Sequence, residues 1–362
     1  MPADRRAERQ AALRAALRSE GVDALLVTHL PNIRYLTGYT GSAALLLIGE
    51  TAATLITDFR YAVQAPAEAG RAAVVEVDQK SVWDRLGRVL AANPAATLGI
   101  EAQALTVADA ERVSGLTRAR VVPTKGMVER LRAVKSPEEV AAIGAAATLA
   151  QEALAEVLPG IRPGQTELEV GAALEGALRR RGSEWHPFPT IVASGPRAAL
   201  PHARTSSRAV ARGEWLLLDF GAQVDGYCAD LTRTMVVGAR ADERQRTVYE
   251  LVRSAQRRAL EHLRAGMTGR EADALARDVI AARGFGEAFG HSLGHGLGLE
   301  VHEAPRLAPT VEGVLPPHAV VTVEPGIYLP GWGGVRLEDD VHLGPDGAEI
   351  LSDGRTELVE LT

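Results

Sequence analysis

Leu216-Leu-Leu-Asp-Phe-Gly-Ala-Gln-Val-Asp-Gly-Tyr-Cys-Ala-Asp-Leu-Thr-Arg-Thr234 is the stretch on which the fold turns. Two apolar runs flank the turn signal Val224-Asp225-Gly226, the pattern of an antiparallel hairpin. With the turn centred between Val224 and Asp225, Asp219 and Asp230 lie directly opposite each other. A second stretch repeats the arrangement, with Glu324 in Val320-Val-Thr-Val-Glu-Pro-Gly326, Glu338 in Gly334-Val-Arg-Leu-Glu338, and Gly331-Trp332-Gly333 midway between them. Like charges facing each other destabilise a sheet, and a buried carboxylate either holds its proton or acquires a cation. Any one of these residues alone reads most simply as solvated on an exposed strand face, or as paired with Arg233 or Arg336. Four of them on strands otherwise rich in Val and Leu point instead to shared cations.

Between the hairpins lies Phe289-Gly-His-Ser-Leu-Gly-His-Gly-Leu-Gly-Leu-Glu-Val-His-Glu303, with His291, His295 and His302 spread among glycines. Glycine at this density disfavours a regular helix and lets backbone approach a ligand closely. Spacing does not decide which of the three histidines ligates. Carboxylates with one imidazole suit Mn²⁺, Co²⁺ or Zn²⁺, and the lack of thiolates speaks against structural zinc or an iron-sulfur cluster. Two such ions about 3.5–4 Å apart share a water and deprotonate it near neutral pH, which makes the chain a candidate hydrolase. Histidines not bound to metal can donate to a developing oxyanion or carry a proton. His202, in Leu200-Pro-His-Ala-Arg204, is a weaker candidate judged by itself.

With 362 residues the chain is long for a single core, and two domains are expected. The net charge of -6 offers no global basic surface, so nucleic acid is not an expected partner. Cys228 is the only cysteine, which excludes an intrachain disulfide, fits a reducing compartment and reads more readily as a small buried residue than as a nucleophile. Met1 to Gly21 reads as an amphipathic helix without an apolar signal region, and no later segment reads as long enough to cross a membrane. A cytoplasmic protein without membrane association is therefore expected. From Asp23 to Val122, short β-like runs alternate with helix-like stretches such as Ser81 to Ala92, an α/β pattern. His29–Gly38 and Thr57–Tyr61 read as turn and packing segments. Ser136-Pro-Glu-Glu139 is a capping box that opens a long helix to about Val157. The linker falls near Lys125 to Lys135, giving domains 1–130 and 131–362.

Beyond that boundary the chain repeats. Gly164-Gln-Thr-Glu-Leu-Glu169, with a helical pattern ending at Gly182, matches Gly266-Met-Thr-Gly-Arg-Glu271, whose pattern ends at Gly284, at one offset of 102 residues. Both copies carry a capping box and both lead to an acidic hairpin. A duplicated helix-plus-hairpin unit with pseudo-twofold symmetry follows, each half supplying two carboxylates to one centre.

At these residues the chain resembles the prolidase and aminopeptidase P group of the pita-bread metallopeptidases, over about Ser136 to Leu358. Its N-terminal part is similar to the creatinase-type accessory domain of the same group. The resemblance implies an α+β protein: a C-terminal pita-bread domain with pseudo-twofold duplication, preceded by a smaller α/β domain. It implies that Asp219, Asp230, His295, Glu324 and Glu338 bind two divalent ions, Mn²⁺ ahead of Co²⁺ or Zn²⁺, with Asp230 and Glu338 bridging. Glu324 would also handle the proton of the attacking water. His202 and His302 would stabilise the tetrahedral intermediate or the leaving amine, and His291 and Arg336 match further active-site positions. The implied substrates are small peptides with proline second, cleaved by a homodimer or tetramer acting as Xaa-Pro dipeptidase or Xaa-Pro aminopeptidase. A dipeptidase must clamp a free carboxylate, for which Arg306 in His302-Glu-Ala-Pro-Arg306 is the candidate. Creatinase-like amidinohydrolysis and a non-catalytic peptide-binding module are the alternatives on this fold; the complete five-residue set speaks against both.

Overall fold

The computed structural model describes residues 4–362, so the first three positions of the expected N-terminal helix fall outside the described residues. The chain divides into two compact units, one ending at Arg132 and the other running from Ala133 to Thr362. The first contains helices α1 (Arg6–Ser19), α2 (Leu30–Thr37), α3 (Gln64–Ala69), α4 (Val82–Ala92), α5 (Val107–Leu116) and α6 (Met127–Arg132). Its strands are β1 (Ala24–Val27), β2 (Leu45–Ile48), β3 (Ala53–Asp58), β4 (Val74–Asp78), β5 (Thr97–Glu101) and β6 (Arg120–Thr124). They form one mixed sheet in the order β4-β3-β2-β1-β5-β6. Strands β3 and β5 go beyond the sequence reading because Thr54, Thr57 and Gly99 interrupt their apolar runs. His29–Gly38 is likewise not a turn but contains α2, with Pro31 in its first turn. The Glu101 carboxylate accepts from the N–H groups of Thr28 and His29 at 2.6 and 2.8 Å, placing negative charge at the N-terminus of that helix.

The second unit contains α7 (Pro137–Val157), α8 (Glu167–Arg180), α9 (Glu243–His262) and α10 (Gly269–Ala281). Its strands are β7 (Ile191–Ser194), β8 (Trp215–Phe220), β9 (Gln223–Val224), β10 (Tyr227–Cys228), β11 (Leu231–Val237), β12 (Gly294–Gly296) and β13 (Glu303–Leu307), then β14 (Val320–Val323), β15 (Gly326–Leu329), β16 (Gly333–Arg336), β17 (Asp339–Gly344), β18 (Gly347–Ile350) and β19 (Val359–Leu361). Two larger sheets run β19-β11-β8-β7 and β13-β12-β14-β17-β18. The Ser136 capping box opens α7 as expected. Together with the short turn after it, α7 spans 24 residues and is long and apolar enough to cross a membrane, which corrects the reading that no segment is. Its apolar side is used within the unit, where Ala146, Ala150 and Ala153 join Val170, Leu174 and Ala177 of α8 in one core.

The duplication is visible in hydrogen bonds. Thr166 with Glu169, and Thr268 with Glu271, close matching capping boxes. At the other ends of the two helices the Ser183 N–H returns to Leu178 O and the Phe285 N–H to Ile280 O, at 3.1 and 3.2 Å. Alternation along β8 connects the halves: Leu216, Leu218 and Phe220 enter the core of α7 and α8, whereas Trp215 and Leu217 enter the core of α9 and α10. Asp219 follows the second set by the period of two, which aims it at the other half.

The hairpin registers decide which carboxylates meet. In the first hairpin Val224 pairs with Tyr227, and Asp219 pairs with Thr232 rather than with Asp230. Asp225 and Gly226 both take positive φ, 49° and 78°, the conformation that a two-residue Asp-Gly loop adopts to match strand twist. The turn centre therefore lies between Asp225 and Gly226, one residue beyond the expected place, and Asp230 is the diagonal neighbour of Asp219 on the same face. In the second hairpin the ladders β14–β17 and β15–β16 share one register, which sets Glu324 opposite Glu338 as the spacing predicts.

Candidate metal centre

Every one of the five residues sits where a ladder ends or narrows. Asp219 is next to last in β8, Asp230 immediately precedes β11, His295 is central in the three-residue β12, Glu324 follows β14, and Glu338 lies between β16 and β17. Strand β12 fits between β13 and β14 because its flanks are glycines. A Cβ on Gly294 would collide with the Thr322 carbonyl oxygen, and one on Gly296 with that of Ala304. The halves join at a β-bridge between Thr232 and Glu338, whose N–H donates to Thr232 O at 3.1 Å. Ligand-type atoms of Asp230, His295 and Glu338 all lie within 4.8 Å of one another. His295 Nε2 is also 3.5 Å from Glu324 Oε1 and 3.7 Å from Asp230 Oδ2.

Burial governs the electrostatics. It raises Asp219, Asp230, Glu324 and Glu338 above the ordinary carboxylate range, Glu338 to about 8, and repulsion from neighbouring carboxylates adds to the shift of Asp230, Glu324 and Glu338. For Asp219 the nearby Arg336 guanidinium opposes the rise. Burial also lowers His295 and His291, each to about 4, so both imidazoles are neutral near pH 7. The His295 Nδ1 lies 3.0 Å from the Gly296 carbonyl, which can only accept, so Nδ1 carries the hydrogen and Nε2 presents its lone pair to the carboxylates.

Two threonine hydroxyls hold the cluster, one in each half. Thr232 Oγ1 accepts from Arg336 Nε at 3.0 Å and donates to Glu338 Oε2 at 2.6 Å. Thr322 Oγ1 accepts from the His295 N–H at 3.1 Å and donates to Glu324 Oε1 at 3.2 Å. Arg336 is buried and donates through Nη2 to Asp219 Oδ2 at 2.6 Å and through Nη1 to Tyr328 Oη at 2.7 Å. The His291 Nδ1 hydrogen goes to Ser292 O at 2.8 Å, so Nε2 accepts from the Tyr328 hydroxyl at 2.8 Å. His302 is exposed with its ring 4.4 Å from that of His295, and burial together with His202 lowers its pKa. His202 is exposed and close enough for its charge to act on Asp219, His291 and His302. Arg306 stands opposite His295 across the β12–β13 pair. The Arg233 guanidinium pairs with Asp339 at 2.7 Å and donates to the backbone carbonyl of Glu338 at 2.6 Å rather than to a carboxylate of the cluster. Cys228 is buried and its thiol is pushed up to about 12 by that burial, which leaves it inert.

Tyr328, Thr232 and Thr322 extend the site beyond the sequence reading. The position of the two threonines carries a signal, since Thr232 lies two residues after Asp230, Thr322 two before Glu324, and strand periodicity puts such residues on one face.

The donor set fits divalent ions on its own terms. Asp219 Oδ1 and Asp230 Oδ1 are buried oxygens with no hydrogen-bond partner, and a neutral imidazole lone pair faces the carboxylates. A cation answers both the orphaned oxygens and the like-charge cluster.

Comparison with known proteins agrees with this geometry. Residues 141–345 match metallopeptidase family M24, and residues 9–134 match the creatinase/prolidase N-terminal domain. The chain belongs to metallopeptidase family M24: it is a hydrolase with a pita-bread catalytic domain, and membership implies divalent metal ions. It is 35% identical to the Xaa-Pro dipeptidase of Pyrococcus horikoshii over 93% of this chain and 95% of that one. Among solved structures, an Xaa-Pro dipeptidase from Bacillus anthracis superposes with a TM-score of 0.95 at 41% identity, covering 98% of this chain and 100% of that one. An X-Pro aminopeptidase from Thermotoga maritima superposes with a TM-score of 0.88 at 39% identity, covering 95% and 100%.

Proposed function

We propose that this chain hydrolyses the Xaa-Pro bond of dipeptides, using two divalent ions, Mn²⁺ foremost, held by Asp219, Asp230, His295, Glu324 and Glu338. The observation that carries the dipeptide reading is Arg306. Residues directly opposite in an antiparallel pair project to the same face, so a guanidinium stands beside His295 and four residues beyond His302. That is a suitable place to pair with the free carboxylate of a C-terminal proline. Bound ions would supply Lewis acidity and a water deprotonated near pH 7.

The side chains divide the remaining work. Glu324 has Oε1 held by Thr322 and Oε2 3.9 Å from His291 Nδ1, and it receives the proton of the attacking water. His302 and His202, both exposed beside the cluster, donate to the developing oxyanion and to the leaving proline nitrogen. Arg336 holds Asp219 through a direct hydrogen bond and leaves the other carboxylate oxygen free for a cation. Because an Xaa-Pro bond has no amide hydrogen, recognition comes from the two ends of the substrate rather than from a backbone ladder. A homodimer in a reducing cytoplasm completes the reading, by family resemblance and by the single buried thiol.

Rates on Xaa-Pro and Xaa-Pro-Yaa peptides, with Mn²⁺, Co²⁺ and Zn²⁺ in turn, test this. The dipeptide is expected to be cleaved faster, and Arg306→Met is expected to raise its KM about 10- to 100-fold, the worth of a charge-assisted hydrogen bond. Faster tripeptide cleavage would make the chain an Xaa-Pro aminopeptidase instead.

A further inference from the structure

Each half of the duplicated unit buries a carboxylate on its helix, apart from the metal centre: Glu167 on α8 and Asp273 on α10. We propose that these two are positioning residues that fix the loops carrying His202 and His291. The proposal rests on the reading of those histidines as active-site groups.

Glu167 is fully buried and its two oxygens are taken up by a single loop. Oε1 accepts from the Ser194 N–H and hydroxyl, both at 2.9 Å. Oε2 accepts from the Ser206 N–H at 3.0 Å and its hydroxyl at 2.6 Å. Arg197 Nε approaches both oxygens, at 3.2 and 3.1 Å. Ser194 and Ser206 are the two ends of the segment containing His202, so one carboxylate ties both ends together. From inside the loop Arg197 also donates to the Arg204 carbonyl. On the far side, the Pro201 carbonyl accepts from Arg336 Nη1 at 3.2 Å. The residue before His202 is thereby tethered to the arginine that holds Asp219.

Helix α10 reaches the same result with different residues. Asp273, 1% exposed, accepts from the Leu293 N–H at 2.9 Å and from Arg277 at 2.5 and 2.9 Å. Arg277 donates to the carbonyls of Phe289 and His291, each at 2.6 Å, and its guanidinium lies 4.2 Å from the Phe289 ring centroid. The backbone is held on both sides of His291, whose ring then meets Tyr328, Arg336 and Asp219 in sequence. The two clamps are not copies of each other: at the offset of 102 residues, Glu167 corresponds to Gly269 and Asp273 to Gly171. Burying a carboxylate is costly even when it is paired. Closing a loop needs only apolar packing, whereas aiming a histidine needs fixed directions.

Double-mutant cycles on the Mn²⁺-loaded protein, read as kcat and KM on the dipeptide Ala-Pro, test the proposal. Glu167→Gln is expected to lower kcat roughly 10- to 100-fold, the range that a misplacement of under about 1 Å produces. In a His202→Ala background the same change should cost less than about twofold, because it acts through a residue already removed. Asp273→Asn should behave the same way toward His291→Ala, and each clamp should retain its full effect in the other histidine's background. Bound Mn²⁺ per chain should not change. Equal losses in wild type and in the matched histidine background would overturn the proposal, since they would mark a general loss of stability. If His202→Ala and His291→Ala leave kcat and KM unchanged, the reading of the histidines falls, and the clamps with it. Should Glu167→Gln fail to fold, Ser206→Ala removes one hydroxyl donor and must show the same non-additivity on a smaller scale.

Discussion

The first acidic hairpin turns through Asp225-Gly226 and leaves Asp219 and Asp230 diagonal, whereas the second turns around Gly331 and sets Glu324 opposite Glu338. The first hairpin is completed by a residue from the second half, because the position opposite Asp219 is Thr232, which binds Glu338 and Arg336. The second is completed by Thr322, which binds the histidine of its own half. Two copies of one device have thus been joined by an asymmetric seam. Thr232, Glu338 and Arg336 are shared property, and neither hairpin is a full site without the other.

The heaviest blow to this arrangement is removal of a shared carboxylate. Asp230→Ala or Glu338→Ala should abolish hydrolysis and tight metal binding together, by more than the roughly 100-fold limit seen for residues outside the metal's own ligands. Metal analysis alongside turnover checks it. Next comes the seam: Thr232→Val deletes the hydroxyl between Arg336 and Glu338 and is expected to lower metal affinity or activity about 10- to 100-fold. Thr322→Val, confined to one half, should cost less in the same assay.

Acidity tests the cluster that the halves share. In metal-stripped protein, Glu338 holds its proton to about pH 8 because of burial and the charge of Asp219. A carboxyl whose folded pKa is raised contributes stability that is present below its unfolded value and lost as pH rises through the folded one. Denaturation of EDTA-treated protein should therefore show stability falling between about pH 4.5 and 8, and added Mn²⁺ should release protons and remove most of that slope. Calorimetry in buffers of different ionisation enthalpy measures the release. The smallest expected effect is at the turn: Gly226→Ala, at φ 78°, should cost about 1–2 kcal/mol in thermal unfolding, the price of forcing a side chain into the left-handed region.

Much of this was legible in the sequence, and the lapses have physical causes. The four carboxylates, the Ser136 cap and the repeated caps of α8 and α10 stand out because charge on an apolar strand and capping chemistry are local signals, whereas only the family resemblance separates His295 from His291 and His302. The reading centred on Val224-Asp225 sets the register of the first hairpin one position early, because the loop is Asp225-Gly226, the dipeptide that takes positive φ at both residues. The roles of Glu167 and of the Thr232 hydroxyl are set by partners distant in sequence: Glu167 binds Ser194 and Ser206, and Thr232 and Glu338 are separated by 106 positions. A hydroxyl or a helical carboxylate declares a role only when its partner is seen.

The central claim is that both halves share the same ions, and anomalous diffraction from crystals of Mn²⁺-loaded protein tests it most directly. The expected result is two peaks about 3.5–4 Å apart, with Asp230 and Glu338 touching both. A single peak, or two peaks each ligated by one half alone, would contradict it.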